Sequence, residues 1–324
     1  MATSSPPLRL HLVLALLAAF AALGAALSAP PAQARVIVGI GQQTPEIFRS
    51  PHWAELQAPN VRYITPWDVI DDPLQLEKLD IWMTAANGVG AEVMIGFQKS
   101  LKSARSGKVL PSPRRYARAF RAIRERYPNV RNWVPWNETN HATALTGDRP
   151  RRAAQYFNIV TRQCPKCNVV AGDVLDLPNM ESWIKRFQRH TKTRPKIWGL
   201  HNYHDANAKL SDSTKKLLRI TSGQIWFTET GGLVKRRLNE RGGMKTRTYG
   251  TRSAARATRH VLNLSRISKR IRRIYLYHWL APSRFTTWDS ALTDHKMRPR
   301  RSYHVLDRWL TKARRSGLAA PAGR

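Results

Sequence analysis

Acidic residues are scarce in this chain: 21 Asp and Glu face 55 Lys and Arg over 324 residues, a formal charge of +34. Cysteine is scarcer, with two in all, which excludes a scaffold held by several disulfides. No long run of Gly, Gln or Asn occurs, so low-complexity architectures are excluded too. The sequence holds no Walker motif, no His-Glu-x-x-His and no Gly-x-Ser-x-Gly elbow. The commonest nucleotide-binding, zinc-protease and serine-hydrolase classes are thereby disfavoured. A hydrophobic content of 42% is enough for a real core and too high for a disordered chain.

One apolar run stands out, Leu12 to Leu27, preceded by the single charge of Arg9 and followed by Ala32-Gln33-Ala34. The small-x-small ending is what a signal peptidase accepts. The run would rise about 24 Å as a helix, short of a hydrocarbon core of roughly 30 Å, which favours a cleaved leader over an anchor. Residues 1–34 are therefore expected to be a signal peptide, 35–315 the folded domain and 316–324 a flexible tail. The mature protein is expected outside the cell or on its envelope, with no transmembrane anchor. In that compartment Cys164 and Cys167 read as a small structural disulfide, because a zinc site needs four ligands and no second pair exists.

Short β-rich runs recur through the remaining chain. They begin at Val36, Val61, Glu92, Asn132, Asn168, Ile197, Ile225 and Ile274, and most are continuously apolar, as in parallel strands buried on both faces. Between them lie helical spacings such as Leu76, Leu79, Met83 and Ala86, or Tyr116, Phe120, Ile123 and Tyr127. Eight strand–helix units in this length match a single-domain (β/α)8 TIM barrel of the α/β class. A doubly wound sheet is the alternative, but Gly39-Ile40-Gly41-Gln42-Gln43 lacks the third glycine of its phosphate turn.

A barrel places its chemistry at the C-terminal ends of its strands. Here the fourth run ends Trp136-Asn137-Glu138-Thr139 and the sixth ends His201-Asn202-Tyr203-His204-Asp205. The seventh ends Thr228-Glu229-Thr230, and the eighth ends His278-Trp279. Strands four and seven lie nearly opposite in an eight-membered ring. Two glutamates facing across the mouth are what glycosidic cleavage requires, one to protonate the departing oxygen and one to attack the anomeric carbon.

These residues resemble the large clan of retaining (β/α)8 glycoside hydrolases that includes cellulases, β-xylosidases and β-1,3-glucanases. Its signature is an Asn-Glu pair ending the fourth strand and a Glu ending the seventh, matched by Asn137-Glu138 and Glu229. The resemblance implies an acid/base role for Glu138, a nucleophile at Glu229 and a hydrogen bond from Asn137 to the sugar 2-hydroxyl. It also implies that Tyr203 of His201-Asn202-Tyr203 contacts the nucleophile and that Trp279 is a sugar platform; Trp136 is a second platform candidate. The chain has Thr139 where the clan has proline, and Pro135 inside the fourth run, where its missing N–H would cost a ladder hydrogen bond. Arg62 and Gln98 in the second and third runs have no decisive assignment.

The reading is then a retaining hydrolase of polysaccharide or oligosaccharide, with Glu138 expected to hold the shared proton. The alternative is a non-catalytic barrel that binds envelope polysaccharide through its basic surface. No cofactor or metal is expected. His204 and Asp205 point apart as strand neighbours and read as solvated loop residues rather than metal ligands. Asn137-Glu138-Thr139 spells a glycosylation sequon, discounted because a glycan there would block the site. Fourteen Lys and Arg crowd the stretch from Lys235 to Arg273, against Glu240 alone, in what reads as a loop and the seventh helix. Arg252, Arg256 and Arg259 should face solvent there. A field this strong suits an acidic cell-envelope polymer or an anionic polysaccharide substrate; the other reading is a solvated basic face that reflects an arginine-rich composition. Nucleic acid is disfavoured by export and by the lack of a recognition helix or stacking motif.

Overall fold

The computed structural model describes residues 35–240, 243–281 and 287–320; the expected leader, 1–34, lies outside them. Eight parallel strands close a barrel: β1 (Ile37–Gly41), β2 (Asn60–Pro66), β3 (Glu92–Gln98), β4 (Asn132–Val134), β5 (Asn168–Leu175), β6 (Ile197–His201), β7 (Gln224–Thr230) and β10 (Ile271–Tyr277). The order around the ring follows the chain, and β1 seals it by pairing with both β2 and β10. Closure excludes the doubly wound alternative. Among the described residues no helix is long and apolar enough to cross a membrane.

Helices cover the outside: α1 (Pro51–Leu56), α2 (Pro73–Gly88), α3 (Pro113–Arg126), α4 (Pro150–Gln163), α5 (Met180–Gln188), α6 (Tyr203–Ala208), α7 (Asp212–Ile220), α8 (Gly250–Leu264) and α9 (Arg301–Arg315). Four begin with proline, whose fixed φ suits the first turn and whose missing N–H has no helical partner to lose. Before α2 the Asp72 side chain accepts from the Gln75 amide at 3.3 Å, and before α3 Ser112 accepts from Arg115 at 3.3 Å. On α3, Tyr116, Ala119, Phe120 and Ile123 form the buried stripe. On α8, Arg252, Arg256 and Arg259 are exposed while Val261 and Leu264 are buried, as the helical phase requires.

The core has two parts. A large cluster fills the space between strands and helices, while Met94, Val134, Val170, Ile197, Trp226 and Tyr275 plug the barrel interior. The plug belongs to six different strands, so the barrel interior is packed rather than hollow.

Two expectations need correction. The stretch after β7 is not a plain loop: β8 (Lys235–Glu240) and β9 (Gly243–Thr248) form an antiparallel hairpin, extended by β11 (Trp288–Asp289). The expected flexible tail is tied down as far as residue 320. Val36 N–H donates to the Leu318 carbonyl at 2.7 Å, and Ala320 N–H donates to that of Val36 at 3.0 Å. Leu318 and Ala319 are buried. Cys164 and Cys167 are joined as a disulfide just after α4.

Candidate active site

The β4 ladder ends at Val134, so Pro135 lies beyond it and no ladder bond is forfeited. Its carbonyl instead accepts the Tyr116 hydroxyl at 2.7 Å. The chain then turns over the barrel end. Asn137 N–H donates to the Phe97 carbonyl at 2.7 Å, and Glu138 adopts a left-handed φ of 51°. Thr139 fixes this turn to β5: its hydroxyl donates to the Gly172 carbonyl and its N–H to that of Asp173. The threonine thus tethers the residue after Glu138 where the resembling clan has proline.

In β5 the register slips between Ala171 and Val174, where Gly172 and Asp173 both have positive φ, 76° and 53°. A bulge of this kind re-aims side chains next to functional sites. Here it turns the Asp173 carboxylate inward, into space that Gly199 leaves free. A Cβ on Gly199 would lie 2.6 Å from Asp173 Oδ1.

Arg62, 1% exposed, is the hub. Its Nη1 donates to Glu229 Oε2 at 2.5 Å, and its Nη2 donates to Asn137 Oδ1 at 2.7 Å and Asp173 Oδ2 at 3.2 Å. Tyr203 donates its hydroxyl to the other Glu229 oxygen, Oε1, at 3.1 Å. His201 joins the acids from within: Nδ1 is 3.3 Å from Glu138 Oε1 and 4.0 Å from Glu229 Oε2, and Nε2 is 3.2 Å from Asp173 Oδ2. Thr228 donates its hydroxyl to Asp173 Oδ1. A carboxylate oxygen of Glu138, one of Glu229 and a His201 nitrogen lie within 4.8 Å of one another. The two glutamates expected to face each other are therefore together, with Asn137, His201 and Tyr203 around them.

Burial alone would favour neutral groups, yet opposite charges outweigh it. For His201, burial works against the cation, but Asp173, Glu229 and Glu138 lift its pKa to about 10. Burial likewise opposes ionisation of Glu138 and Asp173; the imidazolium pulls the former below the usual carboxylate range, and the imidazolium with Arg62 does so for the latter. The direction runs against the expectation that Glu138 holds the proton at rest. The shifts favour the proton on its imidazole partner, because three acids surround that ring and only Arg62 otherwise balances them.

The cluster opens into a cleft of about 1200 Å³ lined by Gln42, Asn137, Glu138, His141, Asp176, Tyr203, Lys216, Glu229, Arg236, Tyr277 and Trp288, among others. Neither Trp136 nor Trp279 is on that wall. They are 1% and 0% exposed, with Trp136 Nε1 donating to the Ala144 carbonyl and Trp279 packed edge-on to Tyr303. Both are packing residues, so the two platform expectations fail on access; Tyr277 and Trp288 hold the rim instead.

Asp205 is likewise no loop residue. It is buried and caps α7, accepting from the Ser213 and Thr214 amides at 3.2 and 2.8 Å. Asp176, His204 and Asp205 could reach a common ion, as could Glu138, His201 and Glu229. In the first group the oxygens of Asp205 are already engaged by α7; in the second, Arg62 and Tyr203 already hold Glu229. Asp173, Tyr277 and Trp288 were not foreseen as site residues, and Arg62 had no assigned role. The signals available were a charge inside an apolar run at Arg62 and a Gly-Asp pair interrupting the fifth run.

This geometry defines a (β/α)8 barrel whose mouth carries a buried acid–base cluster. No family model and no curated protein matches the sequence. Solved structures share the fold. Xylanase 10B from Thermotoga maritima superposes with a TM-score of 0.60 at 11% identity, over 88% of this chain and 97% of that one. A GH5_18 protein from Streptomyces cattleya in complex with Manb1-4GlcNAc gives 0.62 at 15% identity, covering 89% and 83%. A family 39 glycoside hydrolase from Bacteroides cellulosilyticus WH2 gives 0.58 at 13% identity over 86% of this chain. The present chain spans 64% of that protein's length.

Proposed function

We propose that this protein is a retaining glycoside hydrolase in which Glu229 is the nucleophile and Glu138 the acid/base. The observation that carries the reading is the approach of the two carboxylates, with oxygens within 4.8 Å across the mouth of one cleft. Retaining enzymes hold their carboxyl groups about 5–5.5 Å apart, whereas inverting ones need roughly 6.5–9.5 Å to admit water. The fold shared with xylanase 10B and the family 39 and GH5_18 proteins agrees with this chemistry.

Arg62 and Tyr203 hold one Glu229 oxygen each, which fixes the carboxylate for attack on the anomeric carbon and spares it a search among rotamers. As the bond to Glu229 forms, the glycosidic oxygen leaves with a proton drawn from the Glu138–His201 pair. Water then attacks the glycosyl-enzyme, giving its proton back to that pair and releasing Glu229. Asn137 has its oxygen engaged by Arg62, so its NH2 is the end left to donate to a sugar hydroxyl. Asp173 acts through His201 and Arg62, holding both cations in place.

Glu229→Gln should lower kcat by roughly four orders of magnitude or more on every substrate, since no covalent intermediate can form. Glu138→Gln should slow substrates with poor leaving groups by about 10²–10⁴-fold and leave activated aryl glycosides much less affected. NMR of the first product should show retained anomeric configuration; inversion would sink the double-displacement assignment. Export belongs to the same proposal, on the sequence of residues 1–34. Sequencing of mature protein secreted by an expressing host should begin at Arg35.

A further inference from the structure

We propose that the cleft takes an anionic glycan, with Arg236 binding a carboxylate or sulfate on a sugar beside the one cleaved and Lys216 adding charge to the same wall. The proposal rests on the glycosidase reading and names its substrate class.

Arg236 is half-buried on β8, in register with Arg247 of β9 on one side and Trp288 of β11 on the other. Its guanidinium carbon lies 5.2 Å from the centre of the Trp288 ring. Trp288 meets Tyr203 edge-on at 4.8 Å, and Tyr203 donates to Glu229. The cation is thus held two aromatic rings out from the proposed nucleophile, on a wall of the same cleft. A guanidinium stacked on an indole face keeps its N–H groups in the plane and directed outward. That edge is the fork that grips carboxylate or sulfate oxygens in pairs.

Within the cleft the two kinds of charge are treated differently. Glu229 is held by Arg62 and Glu138 by His201, whereas neither Arg236 nor Lys216 forms an ion pair with a carboxylate of the described residues. Arg237 and Lys245, exposed on the hairpin, add to the same field. The cleft also exceeds the roughly 300–1,000 Å³ usual for a small-molecule pocket, leaving room for several sugar units. A polymer with regularly placed negative groups satisfies both the volume and the charge.

The test compares matched oligosaccharides: uronate-containing chains, the same chains with the carboxyl reduced to an alcohol, and sulfated counterparts. Wild-type kcat/KM should favour the anionic member of a pair by roughly ten- to a hundredfold, the worth of a hydrogen bond to a charged group. Arg236→Gln should close that gap, Arg236→Lys should keep part of it, and Lys216→Gln should narrow it. Preference for uronate or for sulfate identifies the source of the charge. Equal rates on charged and reduced chains, or a preference untouched in a folded Arg236→Gln protein, would overturn the proposal. Calorimetry on Glu229→Gln with the same oligosaccharides separates the two readings. Charge-selective binding lost on adding Arg236→Gln upholds the subsite even if wild type cleaves none of them, and that absence of cleavage would instead count against the hydrolase.

Discussion

The barrel buries an arginine at each end, and the two are used in opposite ways. At the base, Arg273 donates to Glu92 at 2.7 Å, Asn60 at 3.1 Å and the Tyr275 hydroxyl at 3.1 Å, with its guanidinium 4.3 Å over Trp226. Asn132 donates to the same glutamate and accepts from Asn168, so the first residues of four neighbouring strands close a belt of hydrogen bonds. Its one carboxylate, on Glu92, has a side chain 47% exposed and is shared with water. At the mouth, Arg62 is sealed from water and faces Asp173 and Glu229, with Glu138 one imidazole away. A chain with more than twice as many bases as acids thus gathers three carboxylates, of Glu138, Asp173 and Glu229, at the mouth. Polar groups that satisfy one another make a plug; polar groups left in excess beside a cleft make a reactive site.

Removing each arginine should separate these roles most sharply. Arg62→Met strands buried carboxylates, and breaking a buried pair costs about 3–5 kcal/mol, so chemical denaturation should show a loss of that size together with lost turnover. Arg273→Met leaves a glutamate that water can reach, so a loss of about 1–3 kcal/mol is expected, with turnover per folded molecule kept. Equal losses from the two variants would break the comparison.

A second effect is read by pH. His201 has its pKa raised to about 10, so its contribution to stability is complete below the unfolded value near 6.5 and is lost as pH rises toward 10. Glu138 and Asp173 are shifted down, so theirs is complete above the usual carboxylate range and lost as pH falls through their folded values. The part of the stability that this cluster supplies should therefore peak between roughly pH 4.5 and 6.5 and decline on both sides. Asp173→Asn should move the alkaline decline to lower pH, and with it the alkaline limb of activity; an unmoved limb would show that Asp173 does not hold the His201 proton.

The smallest effect concerns the outer surface. Arg252, Arg256 and Arg259 changed together to Gln should alter stability by no more than about 0.5 kcal/mol each, since surface substitutions rarely do more. Retention on an anionic matrix should still weaken, as it should for wild type in high salt. Unchanged retention would mean that the hairpin and cleft, rather than α8, dominate the contact with polyanions.

How much of this was legible follows from how local each signal is. The eight strands show as apolar runs because burial on both faces leaves no alternative composition. Glu138 and Glu229 show because each ends such a run. Asp173 was hidden because its inward direction depends on a bulge and on the space above Gly199, and neither is a property of its own neighbours. Arg62 looked indecisive inside Val61-Arg62-Tyr63-Ile64 because its partners come from other strands. The hairpin was masked by its own cations, which read as loop. Trp279 was misplaced because β10 ends at Tyr277, which puts that residue on the rim and buries the indole beneath α9.

The hydrogen bonds between Val36 and the segment around Leu318 bring the two ends of the described domain side by side at the base of the barrel. The ring is then continuous in space even where the covalent chain is cut. A circular permutant that joins residue 320 to residue 36 through a short linker and opens the exposed stretch around Lys102 should fold to the same ring, because neighbouring termini make such recutting tolerable. Its reacting groups would keep their places while their order along the polypeptide changed. Cargo joined at residue 35 or residue 320 would emerge on the side away from the cleft and leave the approach of a long polymer unobstructed.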